Sequence, residues 1–147
     1  MDADIRQVWE LSVWRELRIM DKYYDLVREF HTAFSHPVSE RPVMMDSERA
    51  AARYKWMHEE IDEFIDADNI YDQADAMIDL MYFALGTLVE MGVKPAKLFE
   101  IVHKANMTKL WDGKPRYNED GKTVKPPCWV DPYPLIKEQI DNDCSLI

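Results

Sequence analysis

Apolar positions recur along this chain with the 3.6-residue period of helices, in four or five separate stretches. From Ile5 to about Met20, the residues Ile5, Val8, Trp9, Ser12 and Leu17 fall at roughly helical spacing. Tyr23 to Phe34 restarts or continues the pattern through Leu26, Val27, Phe30 and Phe34. It must stop before Pro37, because the residue ahead of a proline avoids the helical region. Pro37 and Pro42 make 35–45 a loop. Asp46 or Ser47 is placed to cap a third helix running to about Ala67, where Asp68-Asn69 breaks it. A fourth runs from about Ile70 to Met91 and ends at Gly92, a residue suited to the turn after a helix. Pro95 suits the first turn of a fifth, which reaches about Met107 or Leu110. Beyond Trp111 turn-forming pairs take over: Asp112-Gly113, Asp120-Gly121 and Pro126-Pro127. They predict an ordered, irregular tail with a small hairpin around Asp120-Gly121 and a short helix near 135–140.

The polar positions of the middle helices are unusual. On a wheel at about 100° per residue, Glu59, Glu60 and Glu63 share one face of the third helix. Tyr54, Met57, Ile61, Phe64 and Ile65 take the other. Read alone, the glutamate stripe is equally a solvated helix face. On the fourth helix Asp72, Asp75 and Asp79 fall together, and nearly everything else from Ala74 to Val89 is apolar. A helix apolar almost all round is expected to be buried. An isolated ionised carboxylate on a buried helix is very unfavourable, so it must be paired or metal-bound. No Lys or Arg stands within helical reach of Asp75 or Asp79. A hard divalent cation, Mg²⁺ or Mn²⁺, answers the need with oxygen ligands. The short break at Asp68-Asn69 lets the two helices run antiparallel, so that Glu60 and Glu63 would face Asp79 and Asp75.

Composition sets the frame for this chemistry. The chain has 147 residues, 47% apolar and 31% charged, which suits one domain with a packed core. No apolar run reaches the ~18 residues of a membrane span, and the opening Met-Asp-Ala-Asp-Ile does not read as a secretory leader. Two cysteines, Cys128 and Cys144, make no disulfide scaffold, so a reducing, cytoplasmic setting is expected. A net charge of −10 argues against a nucleic-acid polymer as partner. Ten of the 28 acids lie in 56–93, a stretch without Lys or Arg; the other 18 are matched by the chain's 18 bases. Like charges at that density repel unless something cationic is bound.

His58-Glu59-Glu60-Ile61-Asp62-Glu63 resembles the Glu-Glu-x-x-Glu motif of the MazG-like all-α NTP pyrophosphohydrolases. Asp75-Ala-Met-Ile-Asp79 resembles the second acidic motif of that superfamily. Phe30-His31-Thr32-Ala33-Phe34, Leu85-Gly86-Thr87, His103 to Lys109, and Asp112-Gly113-Lys114 through Gly121 to Pro126 are similar to its phosphoribosyl-ATP-pyrophosphohydrolase-like branch. The resemblance covers roughly 22–132. The usual second motif is Glu-x-x-Asp; with Asp79 as its Asp, the Glu position falls on Ala76. Asp75 then replaces it, or Asp72-x-x-Asp75 is the motif in shifted register.

The resemblance implies an all-α, MazG-like bundle of four to five helices in a single domain over 1–147. Its core would span about 22–110, with an irregular basic lid over about 111–134. It also implies cleavage of a nucleoside triphosphate between the α and β phosphates, giving the monophosphate and pyrophosphate. Glu60, Glu63, Asp75 and Asp79 are the expected ligands of Mg²⁺, with Mn²⁺ as a substitute, and Glu59 or Glu63 the expected acceptor of the attacking water's proton. Phosphates also need cations, for which Lys55, Arg53, Lys104, Lys109, Arg116, Lys122 and Lys125 are candidates; Asn106 matches a nucleotide-contacting position of the family. Aromatic residues such as Trp14, Trp56, Trp111 and Tyr117 are base-stacking candidates, and as readily core. A guanine nucleotide, dGTP or GTP, is the first substrate expectation, because an acid-rich pocket accepts the N1 and N2 protons of guanine; dUTP or dCTP comes next. Assembly as a homodimer or homotetramer is expected, because a fourth helix apolar on nearly all sides needs more neighbours than one chain offers. The alternative is a non-catalytic acidic metal-binding module. A di-iron bundle would need two Glu-x-x-His pairs, and Glu100-Ile-Val-His103 supplies one.

Overall fold

The computed structural model describes residues 19–145. They form five helices and no strand, an all-α architecture. The helix expected from Ile5 lies almost wholly outside the described residues. The chain divides after Pro95 into two compact units.

The first unit contains α1 (19–33), α2 (Ser47–Asp66) and α3 (Ile70–Met91). Helix α1 runs unbroken through Tyr23, so the pattern from Tyr23 continues a helix already under way. Asp46 caps α2, its side chain accepting from Arg49 N–H at 2.9 Å. Asn69 caps α3 more fully, accepting from the N–H groups of Tyr71 and Asp72, each at 3.0 Å. Helix α3 stops at Gly92, whose φ of 65° is left-handed. A Cβ there would fall 2.3 Å from the carbonyl oxygen of Arg41, so only glycine fits both the backbone and the space. The loop that crowds Gly92 also serves α3. Ser39 N–H donates to Val89 O at 3.2 Å and Val43 N–H to Met91 O at 2.9 Å, adding partners for carbonyls of the last helical turn.

Helices α2 and α3 pack along each other. Arg49 meets Glu90, Trp56 meets Phe83, and Glu60 lies in the field of Asp79 and Asp75. Numbers rise on one helix as they fall on the other, so the pair is antiparallel. The apolar core is Tyr24, Val27 and Val89, with Val38, Leu85 and Leu88 packed against it. It sits at the carboxyl end of α3, where α1 and the loop cover that helix. Toward its amino end α3 is largely exposed, Ala76 being buried. Ile70, Tyr71, Ile78 and Met81 are exposed, and so are Asp75 and Asp79. The expectation that α3 is buried on nearly all sides therefore fails within the described chain. Periodicity reports that a face is apolar, and only tertiary neighbours decide whether it is covered.

The second unit holds α4 (Pro95–Met107) from its second residue on, and α5 (Tyr133–Ser145). Between them are two isolated bridges, Trp111 to Lys114 and Tyr117 to Thr123, the second closing the turn at Asp120-Gly121. Asn118 braces that turn, its side chain accepting from Asp120 N–H and Lys122 N–H. Helix α5 outruns the expected 135–140. Pairs four residues apart, Lys137 with Asp141 at 2.5 Å and Gln139 with Asp143 at 2.9 Å, extend it.

Candidate active site

The acidic face of the first unit is built by the antiparallel register. Glu59, Glu60 and Glu63 stand on α2, and Asp75 and Asp79 on α3, all within electrostatic reach of Glu60. Burial raises the pKa of Glu60 first, and the charges of Glu63, Asp79, Asp75 and Glu59 raise it further. One of its oxygens, Oε2, is buried and has no hydrogen-bond partner. Asp72 is engaged elsewhere: Asn69 Nδ2 donates to its carboxylate at 2.5 Å, within the cap of α3. Lys55 is exposed, 3.8 Å from Glu59, and Asp62 faces His58 at 3.3 Å.

Among the described residues, no three His, Cys, Asp or Glu side chains converge at metal-binding geometry. The donor chemistry nonetheless fits a hard divalent ion. The charges that raise the Glu60 pKa are all carboxylates, one of its oxygens is orphaned, and Glu63, Asp75 and Asp79 are exposed.

Two to three helical turns toward the start of α2, the chemistry changes sign. Glu90, 6% exposed, holds two arginines. Arg49 donates to it from Nε and Nη2 at 2.8 and 2.7 Å, and Arg53 pairs with it at 2.8 Å. Behind them His31 Nδ1–H donates to Pro37 O at 2.9 Å, which leaves Nε2 to accept from Arg53 at 3.2 Å. Burial lowers the pKa of His31; the bond to Pro37 O opposes this, and the charge of Arg53 adds to it. Gly86 makes the room: a Cβ there would lie 2.7 Å from both Arg53 Nη2 and His31 Nε2. Arg53 is thus committed to Glu90 and only 4% exposed, which removes it as a surface phosphate contact. These groups border a cavity of about 230 Å³ lined also by Phe30, His36, Trp56, Tyr82 and Phe83.

Sequence reasoning missed Arg49 and Glu90. The available clue was Glu90 itself, an acid inside Leu88-Val89-Glu90-Met91 with no cation in helical reach.

The remaining expected contacts belong to the second unit. Lys104 and Asn106 are exposed on α4, Lys104 pairing with Glu100 at 2.5 Å. Arg116 lies over Trp111 at 4.2 Å and Lys125 over Trp129 at 3.7 Å, each cation on an aromatic face. Lys109 follows α4, its N–H bonded to Asn106 O at 3.1 Å, and Lys122 sits on the bridged turn. Trp14 lies outside the described residues.

Residues 27–106 match the family described as phosphoribosyl-ATP pyrophosphohydrolase. The match covers more than half of the chain and includes the acidic face, the arginine–glutamate cluster and the cavity. The chain belongs to this family and is a pyrophosphohydrolase of the MazG-like all-α fold. No curated protein matches it.

Proposed function

We propose that the chain is a metal-dependent nucleoside triphosphate pyrophosphohydrolase that uses water to split the α–β phosphoanhydride, giving a nucleoside monophosphate and pyrophosphate. The observation that carries this reading is Glu60: a buried carboxylate oxygen without a partner, repelled by the acids around it. Glu60, Glu63, Asp75 and Asp79 would hold Mg²⁺ or Mn²⁺. Bound there, such an ion supplies neutralisation of phosphate charge and a more acidic water. Glu63 or Glu59 accepts the proton of the attacking water at a carboxylate oxygen. Positioning and charge do the remainder, so no Ser or Cys nucleophile is required. Exposed apolar residues of α2 and α3, Ile65 at 73% and Ile78 at 60% among them, support assembly with further copies of this chain as a homodimer or homotetramer. Cys128 and Cys144, both free and exposed, suit a cytoplasmic setting. Among the described residues no single helix is long and apolar enough to cross a membrane.

The test is pyrophosphate release across the ribo- and deoxynucleoside triphosphates with Mg²⁺ and Mn²⁺. Glu63→Gln and Asp79→Asn should each lower turnover by roughly 10²-fold or more. Neither should lower the melting temperature, because each removes repulsion. Full activity in both variants rejects the acidic face as the reaction centre. Binding of Mn²⁺ with every triphosphate left intact favours the non-catalytic module instead.

A further inference from the structure

Helices α2 and α3 meet along a regular seam. Arg49 pairs with Glu90, a Cβ on Gly86 would meet Arg53, Trp56 faces Phe83 with ring centroids 6.0 Å apart, and Glu60 feels the charge of Asp79. Steps of four, three and four residues up α2 are matched by steps of four, three and four down α3. That is the spacing of a heptad seam. We propose that Glu90, gripped by Arg49 and Arg53, and the notch at Gly86 are positioning residues for the hydrolysis: they fix the register that sets Glu60 opposite Asp79. That these acids hold the reaction's metal rests on the pyrophosphohydrolase reading; the register rests on the seam alone.

Ordinary apolar packing does not supply this register. Aliphatic side chains exchange partners readily when two helices slide, whereas a buried polar group with few partners specifies one alignment. The seam carries Arg49, Arg53, Trp56 and Glu60 on one side and Glu90, Gly86, Phe83 and Asp79 on the other, with no aliphatic pair among them. Two of its members are locks. Glu90 is buried and Arg53 with it, so their pairing is made in a place where a lone carboxylate is strongly disfavoured. Gly86 lets Arg53 and His31 sit where a Cβ would stand 2.7 Å from each.

One heptad is the slip that keeps the same faces together. In one direction it sets Glu90 level with Trp56, away from Arg49; in the other it carries Glu90 past the start of α2. The residue level with Arg53 becomes Val93 or Asp79, and neither leaves the room that glycine does. Asp79 moves level with Ala67 or Arg53, so either slip takes it from Glu60. Smaller offsets travel as well. From Arg49 to Glu60 is about 16 Å of continuous helix, which shifts as a body. A misplacement of about 1 Å at a reacting group is enough to cost roughly 10²-fold in rate.

Replacing the whole clamp separates register from stability, because a buried ion cluster exchanged for hydrophobic side chains of similar size often leaves a fold as stable or more so. The full-length triple variant Arg49→Met, Arg53→Met, Glu90→Met should melt close to the wild type. Nitroxides at Asp62→Cys and Tyr71→Cys, both exposed, on a Cys128→Ser, Cys144→Ser background read the offset between α2 and α3. In the triple variant their distance distribution should broaden or shift, Mn²⁺ should bind at least tenfold more weakly, and pyrophosphate release should slow at least tenfold. Wild-type distances, or wild-type Mn²⁺ affinity, in that variant overturn the proposal. If it does not fold, Glu90→Asp decides: it keeps the charge and withdraws it by one methylene, so wild-type distances or affinity there overturn the proposal equally. A wild-type chain that neither binds Mn²⁺ nor releases pyrophosphate sinks the hydrolase reading, and the label distances still decide the register.

Discussion

Glu90 belongs by sequence to the acidic stretch and by structure to its opposite, a buried carboxylate inside a cationic clamp. Burial would raise its pKa, but the paired hydrogen bonds from Arg49 and the charges of Arg53 and Arg49 outweigh that and hold it below the usual carboxylate value. Its partners lie about ten helical turns away in sequence, so no local pattern reveals them. Breaking a buried pair from one side leaves uncompensated charge. Glu90→Gln should therefore cost about 3–5 kcal/mol in urea unfolding. The sign with pH follows. Glu90 is depressed in the folded state, so its contribution is present above the ordinary carboxylate value and lost as pH falls through the lowered one. The wild type should lose its advantage over the variant as pH falls through that range. A cost unchanged between pH 7 and acid would remove Glu90 as the source.

At the scale of elements, the caps and breaks were legible because each is a local contract between a side chain and the next few amides. Asp46, Asn69, Gly92 and Pro95 all stand where local chemistry put them. The faces were less legible. The stripe of Glu59, Glu60 and Glu63 was read correctly as one side of α2, but the same wheel made α3 buried where it is open. The exposed Ile61 and Ile65 of α2 and Ile78 and Met81 of α3 are a burial the described chain leaves incomplete. Light scattering at micromolar concentration should give a multiple of 17.4 kDa. Ile65→Lys or Ile78→Lys should shift it toward the single chain without unfolding it, since neither side chain is buried within the described residues. A wild-type monomer would refute assembly through this face.

Over the whole molecule, charge and its placement set how stability depends on conditions. Glu60 is raised in the folded state, so its contribution is most favourable below the ordinary carboxylate value and declines as pH rises through the elevated one. At neutral pH the acidic face should weaken the fold until a cation neutralises it. Millimolar Mg²⁺ or Mn²⁺ should raise the melting temperature at pH 7, by mass action on the folded state alone. The gain should shrink toward pH 4, as Glu60 with its raised pKa takes up a proton, and shrink in Glu60→Gln. An equal gain at both pH values would point to ion binding elsewhere. The sequence by itself determined the helices, their caps and the acidic stripe, because these follow from periods and neighbours within a few residues. Tertiary structure alone decided that Glu90 is caged by Arg49 and Arg53, that Arg53 is among the residues lining an aromatic cavity, and that half of α3 is open. Each of these depends on atoms brought together from distant parts of the chain, and spacing along one helix carries no information about what packs against it.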